Sequence, residues 1–425
     1  GVVLMTLINV IDRPCGFGKS TDLIAQLKSQ ATSNGRYLLV VPELGEADRF
    51  EMALQGVNFK SPILNSETIK AGGANNKTDV LIDLLSAGDN VIITHSLYER
   101  INKYQHLLSD YNVIIDEVPT VAKQVPTMFG EGVFKNLLFD KHYVEIDPDT
   151  QLITATSNWL VDENQYDTGT DRDIRRFMEK IQSTDVYYVR GTYCVMPLPD
   201  AFFTKPKSLI ILTFLFEGTQ LEHYMIKRGY SFSCEVYLDD LYHFKRQMND
   251  NLKIYKKTLS IKTGFTAMTS KSAASRKKVG NFIKNTIQTL NKAGHNFTAD
   301  KILVACSKDA WFGVDENNNS KVSNTTRLKS LTRIGDATYT SMITRGTNKF
   351  KDRNILIMMG KVNINPGLAA FLNMETQKAK DRYSLSELIQ LIYRTSIRDG
   401  KETFFITPDK DNVRLLEEFM VEEIG

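Results

Sequence analysis

Apolar and polar positions along this chain follow two periods in turn. Leu7-Ile8-Asn9-Val10-Ile11 is a short apolar run, and behind it Leu23, Ile24 and Leu27 return at helical spacing. The same exchange continues through Val40-Val41, Ile92-Ile93 and Asn112-Val113-Ile114-Ile115 to about Thr120. Strands alternating with helices predict a parallel sheet carrying helices on its faces. Between Glu117 and Thr213 the pattern changes. Tyr143-Val144-Glu145-Ile146 faces Gln151-Leu152-Ile153-Thr154 across Asp147-Pro148-Asp149-Thr150, and Val186-Tyr187-Tyr188-Val189 faces Tyr193-Cys194-Val195-Met196 across Arg190-Gly191-Thr192. Both read as hairpins. A helical stretch and a mixed segment then run to about Ser270. Later strands are expected at Lys301-Ile302-Leu303-Val304-Ala305-Cys306, Asn354-Ile355-Leu356-Ile357-Met358 and Thr403-Phe404-Phe405-Ile406. A polar stretch at 315–320 reads as a surface loop, and Leu415, Leu416 and Phe419 mark a closing amphipathic helix.

At 425 residues the chain exceeds the size, about 250–300 residues, at which a single core stops growing. An α/β protein of two parallel-sheet domains follows: residues 1–230, with a hairpin-rich insertion at about 121–207, and residues 231–425. Hydrophobic residues make up 42%, enough for two cores. No apolar stretch of about 18 residues occurs, and the opening residues carry no basic, cleavable leader. Cys15, Cys194, Cys234 and Cys306 are scattered, with no C-x-x-C and no His at ligand spacing, so neither a zinc site nor a disulfide framework is indicated. A cytoplasmic protein without membrane contact is expected.

The net charge of +3 is mild, with a sequence pI of about 8.4. Any contact with nucleic acid must therefore be local. The strongest basic patch is Lys271-Ser272-Ala273-Ala274-Ser275-Arg276-Lys277-Lys278, leading into a helix with Phe282, Ile283, Ile287 and Leu290 on one face. It is either a phosphate-contacting surface or an ordinary solvated face.

Three segments carry chemistry. The first is Arg13-Pro14-Cys15-Gly16-Phe17-Gly18-Lys19-Ser20-Thr21, placed between a strand and a helix. Gly16 and Gly18 allow a turn tight enough to aim successive N–H groups at phosphate oxygens, beside the positive end of the following helix. Lys19 then reaches the β- and γ-phosphates of ATP, and Ser20 offers a hydroxyl to Mg²⁺. Cys15 is a small loop residue or a reactive thiol. The second segment is Asp116-Glu117, at the end of a buried strand. Asp116 is the carboxylate partner of Mg²⁺, and Glu117 polarises the attacking water. The third is Gln390-Leu391-Ile392-Tyr393-Arg394-Thr395-Ser396-Ile397-Arg398. Helical periodicity through Leu385, Leu388, Ile389 and Ile392 predicts that Arg394 and Arg398, four apart, project from one helical face. Arginines brought to a γ-phosphate by a separate domain stabilise charge that develops during hydrolysis.

In this order the segments resemble the motifs of superfamily 2 helicases, and within them the DEAD-like helicases of tailed bacteriophages. Pro14 to Ser20 resembles motif I in its A-x-x-G-x-G-K-[ST] form, which accounts for Arg13 where a phosphate loop usually has Gly. Val40-Val41-Pro42-Glu43 resembles motif Ia, Ile92-Ile93-Thr94-His95 lies where the family contacts the nucleic-acid backbone, and Asp116-Glu117-Val118-Pro119 stands for the DEAD-type box. Thr340-Ser341-Met342-Ile343-Thr344-Arg345-Gly346-Thr347-Asn348 resembles motif V, and residues 390–398 resemble motif VI. The resemblance implies two RecA-like domains that close on Mg-ATP. Nucleotide contacts would come from Pro14, Cys15, Gly16, Phe17, Gly18, Lys19, Ser20, Thr21, Gly346, Asn348 and Gln390. Nucleic-acid contacts would come from Pro42, Thr94, His95, Thr340 and Arg345. It favours DNA over RNA, phage replication or recombination with its proteins as partners, the host-cell cytoplasm, and a monomer.

Departures from the family pattern are local. Ile210-Ile211-Leu212-Thr213-Phe214-Leu215 stands where motif III has Ser-Ala-Thr, and only Thr213 keeps a hydroxyl. Motif VI has one extra residue between its arginines, leaving the choice of finger between Arg394 and Arg398. The chain also starts almost at motif I, so weak selectivity among bases is expected. The insertion is a strand-separating wedge or a base-stacking surface using Trp159, Tyr187 and Tyr188, unless these rings simply pack. The competing functions are an ATP-gated clamp that grips without unwinding, an RNA helicase and a DNA-packaging motor.

Overall fold

The computed structural model of the chain describes residues 6–30, 35–63, 76–125, 130–163, 170–313, 322–343 and 349–422. The expected loop at 315–320 and the motif V residues Arg345, Gly346 and Asn348 lie outside them. Strands β1 (Leu7–Asp12), β2 (Arg36–Val41), β3 (Phe59–Lys60), β4 (Asn90–Thr94) and β5 (Tyr111–Asp116) build the first sheet. Further along, β6 (Ala122–Gln124), β7 (Val144–Ile146), β8 (Ile153–Ala155), β9 (Tyr187–Val189) and β10 (Tyr193–Pro197) form the insertion. Then β11 (Ser208–Thr213) and β12 (Phe232–Val236) return to the first sheet. The second sheet uses β13 (Leu252–Tyr255), β14 (Ile302–Ala305), β15 (Thr338–Thr340), β16 (Ile355–Met358) and β17 (Thr403–Ile406).

The first sheet is seven-stranded, in the order β12-β1-β11-β5-β2-β4-β3, and the second is five-stranded, in the order β13-β17-β16-β14-β15. Every pairing in both is parallel. Central strands such as β14 and β16 are buried at every position, as parallel strands covered on both faces require. This is the expected α/β architecture of two parallel sheets with an insertion. The edge strand β12 continues the first sheet past residue 230, because its residues from Phe232 onward pair with β1 from Ile8.

Both sequence-predicted hairpins form, β7 with β8 and β9 with β10. Asp147 tightens the first by accepting the N–H groups of Asp149 and Thr150 at 3.0 and 2.7 Å. β10 also pairs with β6, which completes a three-stranded sheet. Phe134, Tyr143, Phe177 and Cys194 pack into a separate core for the insertion. Trp159 and Tyr188 belong to that core at 1% and 9% exposure, so they do not form a base-stacking surface. Tyr187 instead packs on Phe371 of the second lobe, ring centroids 5.2 Å apart.

That contact is part of a broader junction between insertion and second lobe. Asn365 caps the helix Pro366–Phe371 with its side-chain oxygen, and its Nδ2 donates to Gln124 Oε1 at 2.6 Å. Arg190 pairs with Glu375. Gly367 lies so close to Tyr193 that a Cβ there would sit 2.7 Å from the tyrosine side chain.

The basic patch divides. Lys271, Lys277 and Lys278 are exposed. Arg276 is fully buried and donates to the carbonyls of Met268, Ser270 and Thr326 at 2.9, 2.7 and 3.0 Å. It ties loops together and offers nothing to a phosphate backbone. Among the described residues no helix is long and apolar enough to cross a membrane.

Candidate functional site

The loop after β1 needs left-handed backbone at two points, and Gly16 and Gly18 supply it with φ of 83° and 90°. Lys19 opens the helix Lys19–Gln30, and its ammonium donates to the Thr213 carbonyl at 3.0 Å. Arg13, standing where phosphate loops usually have glycine, bonds to Asp22 and Asp240 and lies over the Tyr237 ring, 4.9 Å from its centroid. Its side chain braces the loop from outside.

β5 delivers Asp116 to the C-terminal edge of the first sheet, the edge at which open α/β sheets bind ligands. The next residue, Glu117, has φ of 68°, a conformation a non-glycine residue holds only when its surroundings enforce it. Here the Glu117 N–H donates to Leu212 O at 2.8 Å, and His95 Nε2 lies 2.9 Å from the Asp116 carbonyl. His95 thus contacts the backbone of the carboxylate pair. Burial, with the charge of Glu117 second, pushes the Asp116 carboxyl up to about 7.

The two arginines reach this edge from the far end of the chain, but by a different route than their spacing predicts. The helix Gln377–Ile392 stops before either of them. Thr395 Oγ1 donates back to the Ile392 carbonyl at 2.6 Å, Thr395 takes extended backbone, and Arg398 sits in a short 3₁₀ turn, Ser396–Asp399. The two guanidiniums therefore do not share a helical face. Both nevertheless line one cavity, of about 170 Å³, together with Cys15, Gly16, Gly18, Lys19, Ser20, Thr21, Asp116 and Glu117. Arg394 Nη2 is 3.2 Å from Glu117 Oε1, with the two side chains only 6% and 11% exposed. Arg394 Nε is buried without a partner.

Two further cavity residues, Glu46 and Arg49, escape the sequence reading. They come from the helix Leu44–Ala53 after β2, pair at 2.7 Å, and Arg49 lies over the Phe50 ring. The only sequence signal is an acidic and a basic residue three apart directly behind Val41-Pro42.

A likeness in overall shape accompanies this geometry. A solved structure named XPD_APO superposes with a TM-score of 0.51 at 12% identity, covering 98% of this chain and 95% of that one. The fold is the two-lobed RecA-like one. A second, XPD_Helicase, has a TM-score of 0.49 at 12% identity, covering 97% of this chain and 95% of the other. Residues 246–420 match the family described as the YonV C-terminal Rossmann-like domain. The SPbeta prophage-derived uncharacterized protein YonV of Bacillus subtilis (strain 168) is 20% identical over 438 residues, 98% of this chain and 99% of that protein.

Other sequence-predicted residues scatter around the RecA-like cleft. Pro14 is buried, and Phe17 turns its ring to Phe244, centroids 6.3 Å apart, so neither lines the phosphate cavity. Cys15 is buried at 8% exposure, in keeping with a packed loop residue. Gln390 is buried and lines a second cavity of about 320 Å³ with Val118, Thr120, Thr219, Gln220 and Glu387. It does not line the cavity that holds Lys19, Ser20 and Asp116. Pro42 and Thr94, half-buried, follow and end β2 and β4 at the ligand-binding edge, whereas Thr340 is buried at the end of β15.

The donors fit a phosphate-bound magnesium ion. Ser20 and Asp116 are hard oxygen donors, and Mg²⁺ completes its shell from substrate phosphates and water. Among the described residues no group of three His, Cys, Asp or Glu forms an all-protein cage. Asp116 sets a pH dependence. With its ordinary value of 3.8 raised to about 7, the ligand-free native state holds a proton that the unfolded chain has released. Its cost to stability grows as pH rises from about 4 to 7 and is complete above that. Asp116→Asn removes this cost, so melting of the ligand-free chain at pH 8 should move upward, with little change at pH 4. Magnesium-dependent nucleotide binding should be lost in the same variant.

Proposed function

We propose that the chain is an ATP-dependent helicase or translocase of superfamily 2, acting on DNA in phage replication or recombination. The observation that carries this reading is the 3.2 Å approach of Arg394 to Glu117 inside the cavity that also holds Lys19, Ser20 and Asp116. A guanidinium from the second lobe meets the acidic edge of the first, so hydrolysis and closure of the lobes become one event. Ser20 and Asp116 would hold Mg²⁺, which when bound would neutralise charge on the β- and γ-phosphates. The loop N–H groups and Lys19 bind the phosphate chain, and Glu117 orients the attacking water. Arg394, directly facing Glu117, is the finger, and Arg398 assists from the cavity wall. The RecA-like fold and the prophage source of YonV support the class and its phage setting.

A strand-displacement assay on 3′-tailed and 5′-tailed duplexes of DNA and RNA, with and without ATP, tests the activity. ATP-dependent opening of tailed DNA is expected. ATP hydrolysis stimulated by nucleic acid without opening of any duplex would favour the clamp. That reading draws on Thr213, the one hydroxyl left in the motif III position, whose buried Oγ1 has no partner. Lys19→Ala should remove nucleotide binding and turnover together, read by titration with a fluorescent ATP analogue and by phosphate release. Wild-type turnover in that variant would remove the site assignment.

A further inference from the structure

We propose that Gln247 is a positioning residue for hydrolysis, holding the segment that carries both arginines in register with the phosphate loop. The inference rests on the reading of the cleft as an ATPase site and adds a residue to which no motif points. Gln247 belongs to the helix Leu238–Asn251, which leaves the first sheet after β12 and feeds β13 of the second, so it is the covalent bridge between lobes. Asp240, Phe244 and Gln247 are spaced four and three apart and share one face of it.

Each of them grips part of the site. Asp240 takes Arg13 of the phosphate loop. The fully buried Phe244 ring contacts Phe214, at the end of β11, and Tyr393 at centroid distances of 4.8 and 4.9 Å, with Phe17 at 6.3 Å. Gln247 Oε1 accepts from Tyr393 Oη at 2.9 Å, while its Nε2 donates to the Ile397 carbonyl at 3.0 Å. Tyr393 directly precedes Arg394, and Ile397 directly precedes Arg398. One amide thus holds the residue on the amino side of each arginine, its acceptor taking the Tyr393 side-chain hydroxyl and its donor bonding the Ile397 backbone carbonyl. Tyr393 closes the circuit, because its ring lies 3.1 Å from where a Cβ on Gly16 would stand.

Phe214, on which Phe244 packs, directly follows Thr213 at the end of β11. Movement of the phosphate loop reaches the arginines through Phe17, Phe244 and Tyr393, and Gln247 determines how faithfully they follow. A half-buried glutamine with both ends bonded to the same segment has a more exact task than filling space.

The test is Gln247→Leu, which keeps the volume and removes both bonds, measured in steady-state ATP hydrolysis beside Arg394→Ala and the double variant. Misplacement of a catalytic group on this scale costs roughly tenfold to a hundredfold. The expected outcome is a fall of that size in kcat with KM for ATP unchanged, an unchanged Tm, and, when added to Arg394→Ala, a further loss well short of multiplicative, since only the share of Arg398 remains. Gln247→Glu keeps the acceptor for Tyr393 and should recover part of the rate. Wild-type kcat in Gln247→Leu while Arg394→Ala is impaired would overturn the proposal alone. Losses that multiply in the double variant, or a rate that falls only in step with Tm, would overturn it equally by showing ordinary packing. A wild-type chain without ATP hydrolysis would sink the underlying reading and this inference together.

Discussion

Glu117→Gln should slow ATP hydrolysis by roughly 10³-fold while leaving nucleotide bound, the scale on which an oriented proton acceptor acts. The substitution is isosteric, so the features that hold Glu117 in left-handed backbone survive it: the N–H bond to Leu212 and the His95 contact to the Asp116 carbonyl. What goes is the negative charge, and with it both the ability to accept a proton from water and the ion pair to Arg394. Lys19, Ser20 and the loop N–H groups are untouched, and affinity for ATP should persist. Single-turnover hydrolysis beside equilibrium binding of a labelled nucleotide separates the two quantities. Hydrolysis at the wild-type rate would show that water is activated elsewhere.

Arg394→Ala should lower kcat by roughly 10³-fold or more, as loss of an arginine finger does in phosphoryl transfer. Like Glu117→Gln, which strands the guanidinium, it should also lower the Tm of the ligand-free chain, because a buried carboxylate loses the cation 3.2 Å away. Arg394→Lys separates these effects. An ammonium restores the charge opposite Glu117 but not the planar fork of donors, so Tm should recover further than rate. Melting curves and phosphate release on the three proteins check this, and a full recovery of rate by lysine would contradict a geometric role for the guanidinium.

The phosphate loop and the Asp116-Glu117 pair were legible in the sequence because their chemistry is local. Glycines are needed where φ turns positive, and a carboxylate ending a buried strand has few other places to point. Arg394 and Arg398 were legible as residue types but not in their geometry. Apolar spacing through Ile392 continues no further, and the bend at Thr395 depends on a side-chain bond that spacing does not encode. Glu46, Arg49 and Gln247 were silent for a related reason. A charged pair on a helix, or a glutamine on a linker, acquires meaning only from what folds against it. The short strands β6 and β15 give too few residues for a period, and β6 is defined only by its partner β10. Arg276 and Trp159 mislead in the opposite direction, since composition marks them as surface chemistry and tertiary burial makes them structural. Gln390 shares the helix that leads to the arginines yet faces another cavity, which motif order alone could not separate.

The junction between β9–β10 and the helix Pro366–Phe371 gives the two lobes a second fastening, remote in sequence from the helix Leu238–Asn251. The contact at Gly367 is close, since a Cβ there would stand only 2.7 Å from Tyr193. Rotation of the second lobe must therefore either carry the small insertion sheet along or unseat it, which turns a domain that looks like an ornament into part of the bearing.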